Sequence, residues 1–307
     1  PTLATWGTPA QRERCAPPAL RGEEIWCQLF SEPAAGSDLA GLRTRAEKRG
    51  DEWIINGQKI WTSGAHYSDF GILVTRSDPT VPKHKGLTFF FLSMTSPGIE
   101  IRPIKQISGH SHFNEVFFTD VRIPDGQRLG PVGAGWQVSL TTLMNERLAV
   151  GDAPGPDFRE IFDLVRRLEL EDGPAIKNAA VRERLAQWYV RTQGLKYTKF
   201  RTMTRLSRGE TPGPEASIGK LVSASKLQEI ATFGMDLMGM AGIMADEAAI
   251  PANALFQQAL LYSPALRIAG GSDEILRNII AERVLGLPAD VRVDKDLPFK
   301  ELPTGKR

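Results

Sequence analysis

Residues 26–124 alternate short apolar runs with turn residues. The runs Phe70-Gly71-Ile72-Leu73-Val74-Thr75 and Leu87-Thr88-Phe89-Phe90-Phe91-Leu92 are typical of buried strands, and Asn114-Glu115-Val116-Phe117-Phe118 alternates as a half-buried strand does. Turn residues such as Pro97-Gly98 follow these runs closely. Short strands separated by frequent turns predict a small antiparallel β-barrel or sandwich.

Asn56-Gly57 divides the segment 52–61 into two β-favouring runs. Asn-Gly between such runs is the strongest short-range signal for a hairpin, because a tight turn of this kind needs residues that accept a positive φ. The pattern therefore predicts two short strands joined at Asn56-Gly57.

The hydrophobic period becomes helical after residue 133, beginning with the apolar stripe Trp136, Leu140, Leu143 and Leu148. Longer helical patterns cover about 175–208 and about 214–241. A last helix is predicted from Ser272 to about Leu285, because Ser272 is a good N-cap and Gly286 follows the end of the pattern.

These patterns predict an α+β, multi-domain protein in which a β domain precedes a helical bundle. The predicted divisions are a connecting segment at 1–25, a β domain at 26–132, a C-terminal four-helix bundle at 133–290 and a tail at 291–307. The opening residues around Gly7-Thr8-Pro9 read as a loop and turn.

Composition supports a folded protein and excludes several classes. The 307 residues carry 38 Lys and Arg against 36 Asp and Glu, a formal charge of +2, and 41% of them are hydrophobic. These values exclude a disordered, collagen-like or disulfide-scaffold chain. The two cysteines, Cys15 and Cys27, are expected to be free thiols in a reducing compartment. We expect no transmembrane helix and a cytoplasmic location, or the mitochondrial matrix if the protein is eukaryotic.

Two segments at predicted strand ends carry candidate binding chemistry. Phe30-Ser31-Glu32-Pro33-Ala34-Ala35-Gly36-Ser37-Asp38 offers backbone N–H groups and hydroxyls that can hold a phosphate or a polar ring, although an ordinary turn fits the same residues. In Lys59-Ile60-Trp61-Thr62-Ser63, the Trp and the hydroxyls suit stacking on an aromatic cofactor, and a core Trp is the alternative.

Two helical segments carry further candidates. Glu146 falls on a helical stripe with Ser139, Thr142 and Ala149, and a carboxylate that faces a cavity there is a candidate base, whereas a solvated Glu is the alternative. Gly270-Gly271-Ser272-Asp273-Glu274 precedes the last helix and is a candidate polar-ligand site at a helix N-terminus, or simply a flexible loop.

Taken together, these motifs resemble the acyl-CoA dehydrogenase family, in that family's own order. The turn segment resembles Thr-Glu-Pro-x-Ala-Gly-Ser-Asp, and Asn56-Gly57-Gln58-Lys59-Ile60-Trp61 resembles Asn-Gly-x-Lys-x-Trp. Val121-Arg122-Ile123-Pro124 resembles the strand end Val-Arg-Val-Pro, and Arg277-Asn278-Ile279-Ile280-Ala281-Glu282-Arg283 resembles the last helix. The resemblance spans residues 7–288.

The resemblance implies FAD bound between the β domain and the bundle, and oxidation of an acyl-CoA thioester to the trans-2-enoyl-CoA. A carboxylate removes the α-proton while the β-hydride moves to flavin N5, and electrons pass to an electron-transfer flavoprotein. By motif match, the flavin contacts are Phe30, Ser31, Trp61, Thr62 and Ser63, and Ser37 contacts the acyl-CoA. Gly239, Gly242, Ser272 and Glu274 help to bind FAD, partly that of a neighbouring subunit in a homo-oligomer (dimer or tetramer).

The catalytic base departs from the commonest family pattern. Many members carry a Glu where this chain has Gly270, which has no side chain to act as a base. A minority, resembling isovaleryl- and long-chain-type enzymes, place the Glu on an earlier helix before an Arg, and Glu146-Arg147 matches them. The resemblance therefore implies Glu146 as the base, Arg147 near the CoA moiety and a backbone N–H of Gly270 near the thioester oxygen.

A second departure keeps alternatives open. The family's Arg-x-x-Phe-Gly stretch is not evident in 158–215, which leaves a non-catalytic partner subunit of a hetero-oligomer as an alternative, and an acyl-CoA oxidase as another. Residues 177–208 carry nine Lys or Arg against Glu183 alone, a pattern that fits a solvated face or subunit contact, CoA phosphates, or, least, nucleic acid. No third ligand accompanies His110 and His112, so we expect no metal site.

Family members begin with a further helical domain, and this sequence starts where that domain should end, so the resemblance makes residues 1–25 the end of that domain and its connection. We therefore expect the chain to lack that domain, to retain FAD weakly and to tend to aggregate. The acyl chain that it accepts cannot be read from the sequence, because pocket depth depends on residues scattered over several helices.

Overall fold

The structure, a computed structural model, describes residues 1–150, 155–210, 213–244, 251–292 and 294–303, and excludes the side chains of residues 147–150 and 251. The chain divides into two compact units. The first comprises Pro1–Asn145 and Asp290–Arg307, and the second comprises Glu146–Ala289.

The first unit is built on a seven-stranded sheet. Its strands are β1 (Trp26–Leu29), β2 (Arg45–Arg49), β3 (Glu52–Ser63), β4 (Phe70–Arg76), β5 (Leu87–Ser93), β6 (Ile99–Ile104) and β7 (Phe113–Pro124). They are paired in the order β1-β4-β2-β3-β7-β6, and β5 also pairs with β4. Neighbouring strands are antiparallel except that β4 runs parallel to both β1 and β2.

Both faces of this sheet are covered by buried apolar side chains. One cluster includes Leu29, Ile55 and Phe90, and the other includes Leu42, Phe89 and Val138. Alternation along β3 and β7 supplies side chains to opposite faces, as the period of a strand requires. The sheet therefore forms a core with two sides, and its loops are held at fixed strand ends.

The predicted hairpin at Asn56-Gly57 is wrong. Residues Glu52–Ser63 form one continuous strand, and the tight turn lies earlier, at Gly50-Asp51, where Arg49 pairs with Glu52. Gly57 adopts a φ of 151° inside the strand, where a Cβ would lie 2.6 Å from Thr44 Cα. The glycine serves a close approach of two backbones rather than a turn, a role that the local pattern does not distinguish.

Gly57→Ala is expected to lower the free energy of unfolding by about 1–3 kcal/mol, the usual cost of overpacking a filled site. The added methyl would contact Thr44 Oγ1 at 2.5 Å, and the positive φ adds strain. Chemical denaturation of the variant measures the effect. Gly126→Ala is the matched control, because nothing lies within 4 Å of the position of its Cβ. Equal stability of the two variants would contradict the assignment.

The opening residues are helical, which corrects the prediction of a loop and turn. Helix α1 covers Thr2–Trp6 and helix α2 covers Pro9–Arg21. Thr8 caps α2 by a capping box with Gln11, and Pro9 stands at the first helical position, where a missing N–H costs nothing. Gln11 Nε2 also donates to the carbonyls of Gly126 and Arg128, so α2 is fastened to the end of the sheet region.

Helix α3 (Gly135–Val150) ends in the second unit, which is otherwise helical apart from a short hairpin. Its other helices are α4 (Phe158–Val165), α5 (Ala179–Ser207), α6 (Ala216–Met238), α7 (Leu255–Ile268) and α8 (Asp273–Arg283), and the hairpin strands are β8 (Glu169–Leu170) and β9 (Gly173–Pro174). The sequence patterns indicated α5, α6 and α8 but missed α4 and α7. Ile161, Trp188, Ile230 and Phe256 form part of the buried core of this unit.

These elements confirm the predicted α+β class, with a β domain followed by helices. Within the described parts of the chain, no helix combines the length and the apolar character needed to cross a membrane. The proposed divisions at 25, 132 and 290 remain predictions.

Candidate functional site

Two of the predicted flavin-contacting segments lie side by side in the first unit. The backbone N–H of Ile60 donates to the carbonyl of Ser31 at 2.9 Å, and Lys59 Nζ donates to the carbonyl of Phe30 at 2.9 Å. The residues that follow β1 are therefore attached to the second half of β3. This contact brings Ser31 close to the residues that precede Trp61.

A buried ion pair between one residue of each segment, a pairing that the sequence motifs did not predict, holds these segments together. Lys59 is 0% exposed, and its Nζ lies 2.8 Å from Glu32 Oε1. Glu32 also accepts hydrogen bonds from the backbone N–H groups of Arg43 at 2.6 Å and Thr44 at 2.9 Å. Lys59 is itself one of the buried residues of β3. A lysine at an inward position of a strand is the signal that could have revealed the pair.

The electrostatics of Glu32 reflect this pairing. Burial alone would raise the pKa of the Glu32 carboxyl, but the Lys59 charge and the donated hydrogen bonds outweigh burial and hold the pKa below its usual range. Glu32 is therefore ionised at neutral pH. A buried carboxylate that accepts three donors fixes the chain on both sides of the turn that follows β1.

The backbone is distorted where the predicted flavin contacts begin. Between Lys59 and Thr62 the pairing of β3 with β7 slips by one residue, a β-bulge that leaves Trp61 with a φ of 60°. The Trp61 side chain is 57% exposed, although tryptophan is normally well buried. An exposed tryptophan with a left-handed backbone conformation is rare. Such backbone outliers cluster at functional sites.

Thr62 faces the other way and is 1% exposed. Within the described residues, its hydroxyl has no hydrogen-bond partner, whereas its carbonyl accepts from Asn114 Nδ2 at 3.0 Å. A buried hydroxyl without a partner costs free energy and calls for an explanation such as a ligand. Trp61 and Thr62 are therefore consecutive residues of which one has an exposed aromatic ring and the other a buried hydroxyl.

The remaining predicted residues of the first unit differ in exposure. Phe30 is 4% exposed, and its ring packs edge-on against Phe89 at 5.6 Å, so its side chain belongs to the core and only its backbone can contact a ligand. Ser31 is half-buried, and Ser63 is exposed at the end of β3. Ser37 is exposed in the turn 36–42.

Glu146 lies on α3, half-buried, as the first residue of the second unit. Within the first unit, its helical stripe is inward-facing, since Ser139 is 0% exposed and Thr142 Oγ1 lies 2.7 Å from Thr2 Oγ1. Arg147 is helical in its backbone, but its side chain lies outside the described residues.

Gly239 and Gly242 lie in the turn that follows α6. Gly239 ends the helix with φ 54° and ψ −126°, a conformation essentially reserved for glycine. A Cβ on Gly242 would lie 2.3 Å from the carbonyl oxygen of Met235. Both glycines therefore keep the backbone of this turn compact and free of side chains.

Gly270, Ser272 and Glu274 meet at the start of α8. Gly270 and the residue after it have positive φ values of 64° and 95°, and Ser272 Oγ caps the helix by accepting from Ile275 N. Glu274 is exposed in the first turn, where its own backbone hydrogen bond and the Ser272 hydroxyl lower the pKa of its carboxyl. The positive end of a helix favours such a carboxylate.

Charges from outside the predicted motif also organise this turn. Lys220 Nζ donates to the carbonyl of Gly271 at 2.6 Å, and Arg267 binds Asp273 Oδ2 at 2.6 Å. Asp273 is 2% exposed, and its Oδ1 has no hydrogen-bond partner within the described residues. These charges come from three helices, so only the tertiary structure places them beside the predicted turn.

Other candidate groups carry less chemistry. Cys15 and Cys27 are free and buried, as predicted, and burial raises the pKa of the Cys27 thiol to about 11. The rings of His110 and His112 stack at 4.9 Å. Over the described ranges, no three His, Cys, Asp or Glu side chains are grouped so as to hold a metal ion.

Both units of this chain have sequence matches among known proteins. Residues 27–121 match the sequence model of the acyl-CoA dehydrogenase middle domain, and residues 133–285 match that of the acyl-CoA dehydrogenase C-terminal domain. The chain is 41% identical over 290 residues to the acyl-CoA dehydrogenase FadE34 of Mycobacterium tuberculosis, a match that covers 94% of this chain and 39% of that protein. The chain thus spans well under half the length of FadE34.

A second relative and a solved structure are also similar to this chain. The acyl-CoA dehydrogenase IpdE1 of Mycolicibacterium smegmatis is 40% identical over 306 residues, covering 95% of this chain and 75% of that protein. The solved structure of the Tcur3481-Tcur3483 steroid ACAD superposes with a TM-score of 0.86 at 28% identity, covering 94% of this chain and 75% of that chain. These matches show that the chain belongs to the acyl-CoA dehydrogenase family.

Proposed function

We propose that the protein is an FAD-dependent acyl-CoA dehydrogenase that converts an acyl-CoA to the trans-2-enoyl-CoA. The observation that carries this proposal is the pair Trp61 and Thr62, consecutive residues at the β3 bulge of which one has an exposed aromatic ring and the other a buried hydroxyl without a protein partner among the described residues. A flavin ring has an apolar face for stacking and polar edge atoms for hydrogen bonding, and both features match this pair.

Each unit contains residues that we assign to FAD binding. Ser31, whose carbonyl accepts from Ile60, and Ser63, two residues after Trp61, add hydroxyls, and Phe30 offers its backbone rather than its ring. In the second unit, the compact turn at Gly239 and Gly242 and the N-terminus of α8 at Ser272 and Glu274 are assigned to FAD as well, partly for a neighbouring subunit. Bound FAD supplies the acceptor for the β-hydride.

The protein's own residues then do three tasks. Glu146 removes the α-proton, a step that needs a carboxylate held close to the substrate in a dry pocket. A backbone N–H of Gly270 polarises the thioester oxygen, which stabilises the negative charge that develops when the proton leaves. Ser37 and Arg147 hold the acyl-CoA so that its α- and β-carbons are correctly placed.

A binding experiment tests the flavin assignment separately from turnover. Trp61→Ala is expected to weaken FAD binding by roughly two- to tenfold, the size of one aromatic stacking contact of about 0.5–1.5 kcal/mol. Flavin fluorescence during titration of the apoprotein measures the dissociation constant. Ile107→Ala, at an 84% exposed position, is the control. Unchanged FAD affinity of Trp61→Ala would remove Trp61 from the flavin site.

The reaction is tested with the purified, FAD-loaded full chain and a panel of acyl-CoAs with a dye acceptor. Similarity to a structure named as a steroid ACAD favours a bulky polycyclic acyl group, so the panel contains straight, branched, aromatic and steroid side-chain thioesters. We expect enoyl-CoA product and flavin bleaching with the polycyclic member. A protein that binds FAD but oxidises no thioester in the panel would contradict the proposed activity.

A non-catalytic partner subunit is the second candidate, because the name of that similar structure pairs two components, Tcur3481 and Tcur3483. Mass measurement after co-expression with a paralogue separates a hetero-oligomer from a homo-oligomeric dimer or tetramer. Oxygen consumption against reduction of an electron-transfer flavoprotein separates an oxidase from a dehydrogenase. A cytoplasmic location is proposed with the dehydrogenase, since the relatives compared above are bacterial.

A further inference from the structure

The tail of the chain folds back onto the first unit. The backbone N–H of Phe299 donates to the carbonyl of Val81 at 2.9 Å, and that of Lys300 donates to the carbonyl of Pro79 at 2.9 Å. Pro298 forms an isolated bridge with Pro82. Segment 294–302, called the strap below, is thereby hydrogen-bonded to the loop 77–86, which connects β4 with β5.

The strap covers a buried arginine. Arg76, at the end of β4, is 4% exposed, and its Cζ lies 3.8 Å from the centre of the Phe299 ring. Its guanidinium donates to the carbonyls of Ala40 at 2.5 Å and Lys83 at 2.6 Å, and in the described residues no carboxylate forms a salt bridge with it. Without a salt bridge, this buried cation is stabilised by carbonyl dipoles, by the face of the aromatic ring and by the more distant charges of Glu32, Asp38 and Asp78.

Burial lowers the pKa of the Arg76 guanidinium to about 10, the direction expected for a cation that is poorly solvated. Removal of the Phe299 ring would admit water to the Arg76 guanidinium. It would also remove a contact that stabilises the guanidinium in its buried position. Because Arg76 holds the carbonyl of Ala40, its displacement would free the turn 36–42.

A second contact ties the strap to the same turn. Lys83 Nζ lies 2.6 Å from Asp294 Oδ2 in the strap and 3.0 Å from Asp38 Oδ2 in the turn. Lys83 is 11% exposed, so this bridge is better shielded than most surface ion pairs. Two paths, one through Arg76 and one through Lys83, therefore lead from the strap to the turn that contains Ser37, and they are joined by the hydrogen bond from Arg76 to the carbonyl of Lys83.

We propose that the strap is a positioning element for acyl-CoA binding, which holds the turn 36–42 through Phe299 on Arg76 and through Asp294 on Lys83. This inference rests on the proposed assignment of Ser37 to the acyl-CoA. Phe299 and Asp294 are positioning residues, because they act on the turn through Arg76 and Lys83. If the turn adopts the binding geometry for only a fraction of the time, the apparent affinity for acyl-CoA is reduced to that fraction of its intrinsic value.

Hydrogen exchange of the intact, FAD-loaded protein tests the strap without reference to activity. Phe299→Ala is expected to raise amide exchange in residues 36–42, where Gly41 N and Leu42 N donate within the turn. Phe299→Tyr keeps an aromatic face and is expected to restore protection. Val291→Ala, at a 91% exposed position of the same tail, is the control. Unchanged exchange at 36–42 in Phe299→Ala would overturn the proposal.

Kinetics supply the second readout. Phe299→Ala is expected to raise the KM for acyl-CoA by about five- to tenfold, in line with the loss of a desolvated cation–π contact, with kcat and the FAD dissociation constant changed less than twofold. Asp294→Asn, at the other contact of the strap, is expected to act in the same direction and keeps the test valid if Phe299→Ala folds poorly. A fall in thermal stability with unchanged KM and unchanged exchange would mean that the strap is only structural.

The two proposals fail separately. If the protein oxidises no acyl-CoA but Phe299→Ala still loosens residues 36–42, the strap stands as a positioning element of that turn and the substrate assignment falls. If turnover is present and neither variant changes exchange or KM, the strap proposal falls and the dehydrogenase proposal stands.

Discussion

Glu146→Gln is expected to lower kcat by about 10²- to 10⁴-fold, the usual contribution of a positioned general base. Glutamine keeps the size and hydrogen-bonding capacity of the side chain but cannot accept the α-proton. Because the substitution leaves the fold and the flavin contacts in place, the variant should remain yellow with an unchanged FAD dissociation constant. Rapid-mixing measurement of flavin reduction by the preferred acyl-CoA isolates the affected step.

Two further variants test the role of Glu146. Glu169→Gln alters an exposed glutamate of the short hairpin in the second unit and should leave flavin reduction unchanged. The exchange Gly270→Glu with Glu146→Gly asks whether a carboxylate at the commoner family position can replace the base. Wild-type rates of flavin reduction in Glu146→Gln would show that another group removes the proton.

Lys59→Met is expected to lower the free energy of unfolding by about 3–5 kcal/mol, because it leaves the buried Glu32 carboxylate without its partner. The lysine also holds the carbonyl of Phe30, so its loss should separate the end of β1 from β3 and weaken FAD binding. Denaturant titration gives the stability, and flavin titration gives the affinity. Lys105→Met, at an exposed position after β6, is the control.

A double-mutant cycle separates the ion pair from general packing. Glu32→Gln with Lys59→Met should cost less than the sum of the single changes, because the doubly substituted chain no longer buries an unpaired charge. Additive costs would argue that the two side chains act independently. FAD affinity measured across the same four proteins shows whether the pair, rather than stability alone, controls the flavin site.

The pH dependence of the pair has a definite sign. Since the folded pKa of Glu32 is below its unfolded value of about 4.3, its contribution to stability is present above that value and is lost as the pH falls through the folded pKa. The stability difference between wild type and Glu32→Gln should therefore be constant near neutrality and shrink below about pH 4. A difference that grew on acidification would contradict the assigned shift.

The sequence predicted the elements that rest on local periodicity. Strand patterns located β4, β5 and β7, and helical spacing located α5, α6 and α8, because the period of apolar residues reflects the geometry of each element. The same reasoning failed at Gly57 and at α2, where single turn-forming residues outweighed the surrounding pattern. Gly57 accommodates Thr44 of the neighbouring segment, and Pro9 begins a helix rather than a turn.

In the candidate site, too, some features follow from local sequence and others depend on packing. Motif order located Trp61, Thr62 and Ser272 on the elements where the structure has them, since each motif is a short run of neighbouring residues. It could not reveal that the Phe30 ring is in the core, or that the Thr62 hydroxyl is buried without a partner among the described residues. Both facts depend on the packing of distant strands against these residues.

The amino-acid pattern alone therefore established the α+β order, the family resemblance and the position of Glu146 on a helix. Tertiary structure decided which charges meet, since Lys59 and Glu32 are 27 residues apart and Lys83 and Asp294 are 211 residues apart. Local propensity acts over a few neighbouring residues, whereas such pairs depend on strand register and on where the chain returns. For this reason residues 291–307, which the sequence presented only as a tail, include a strap on the loop beside the Ser37 turn.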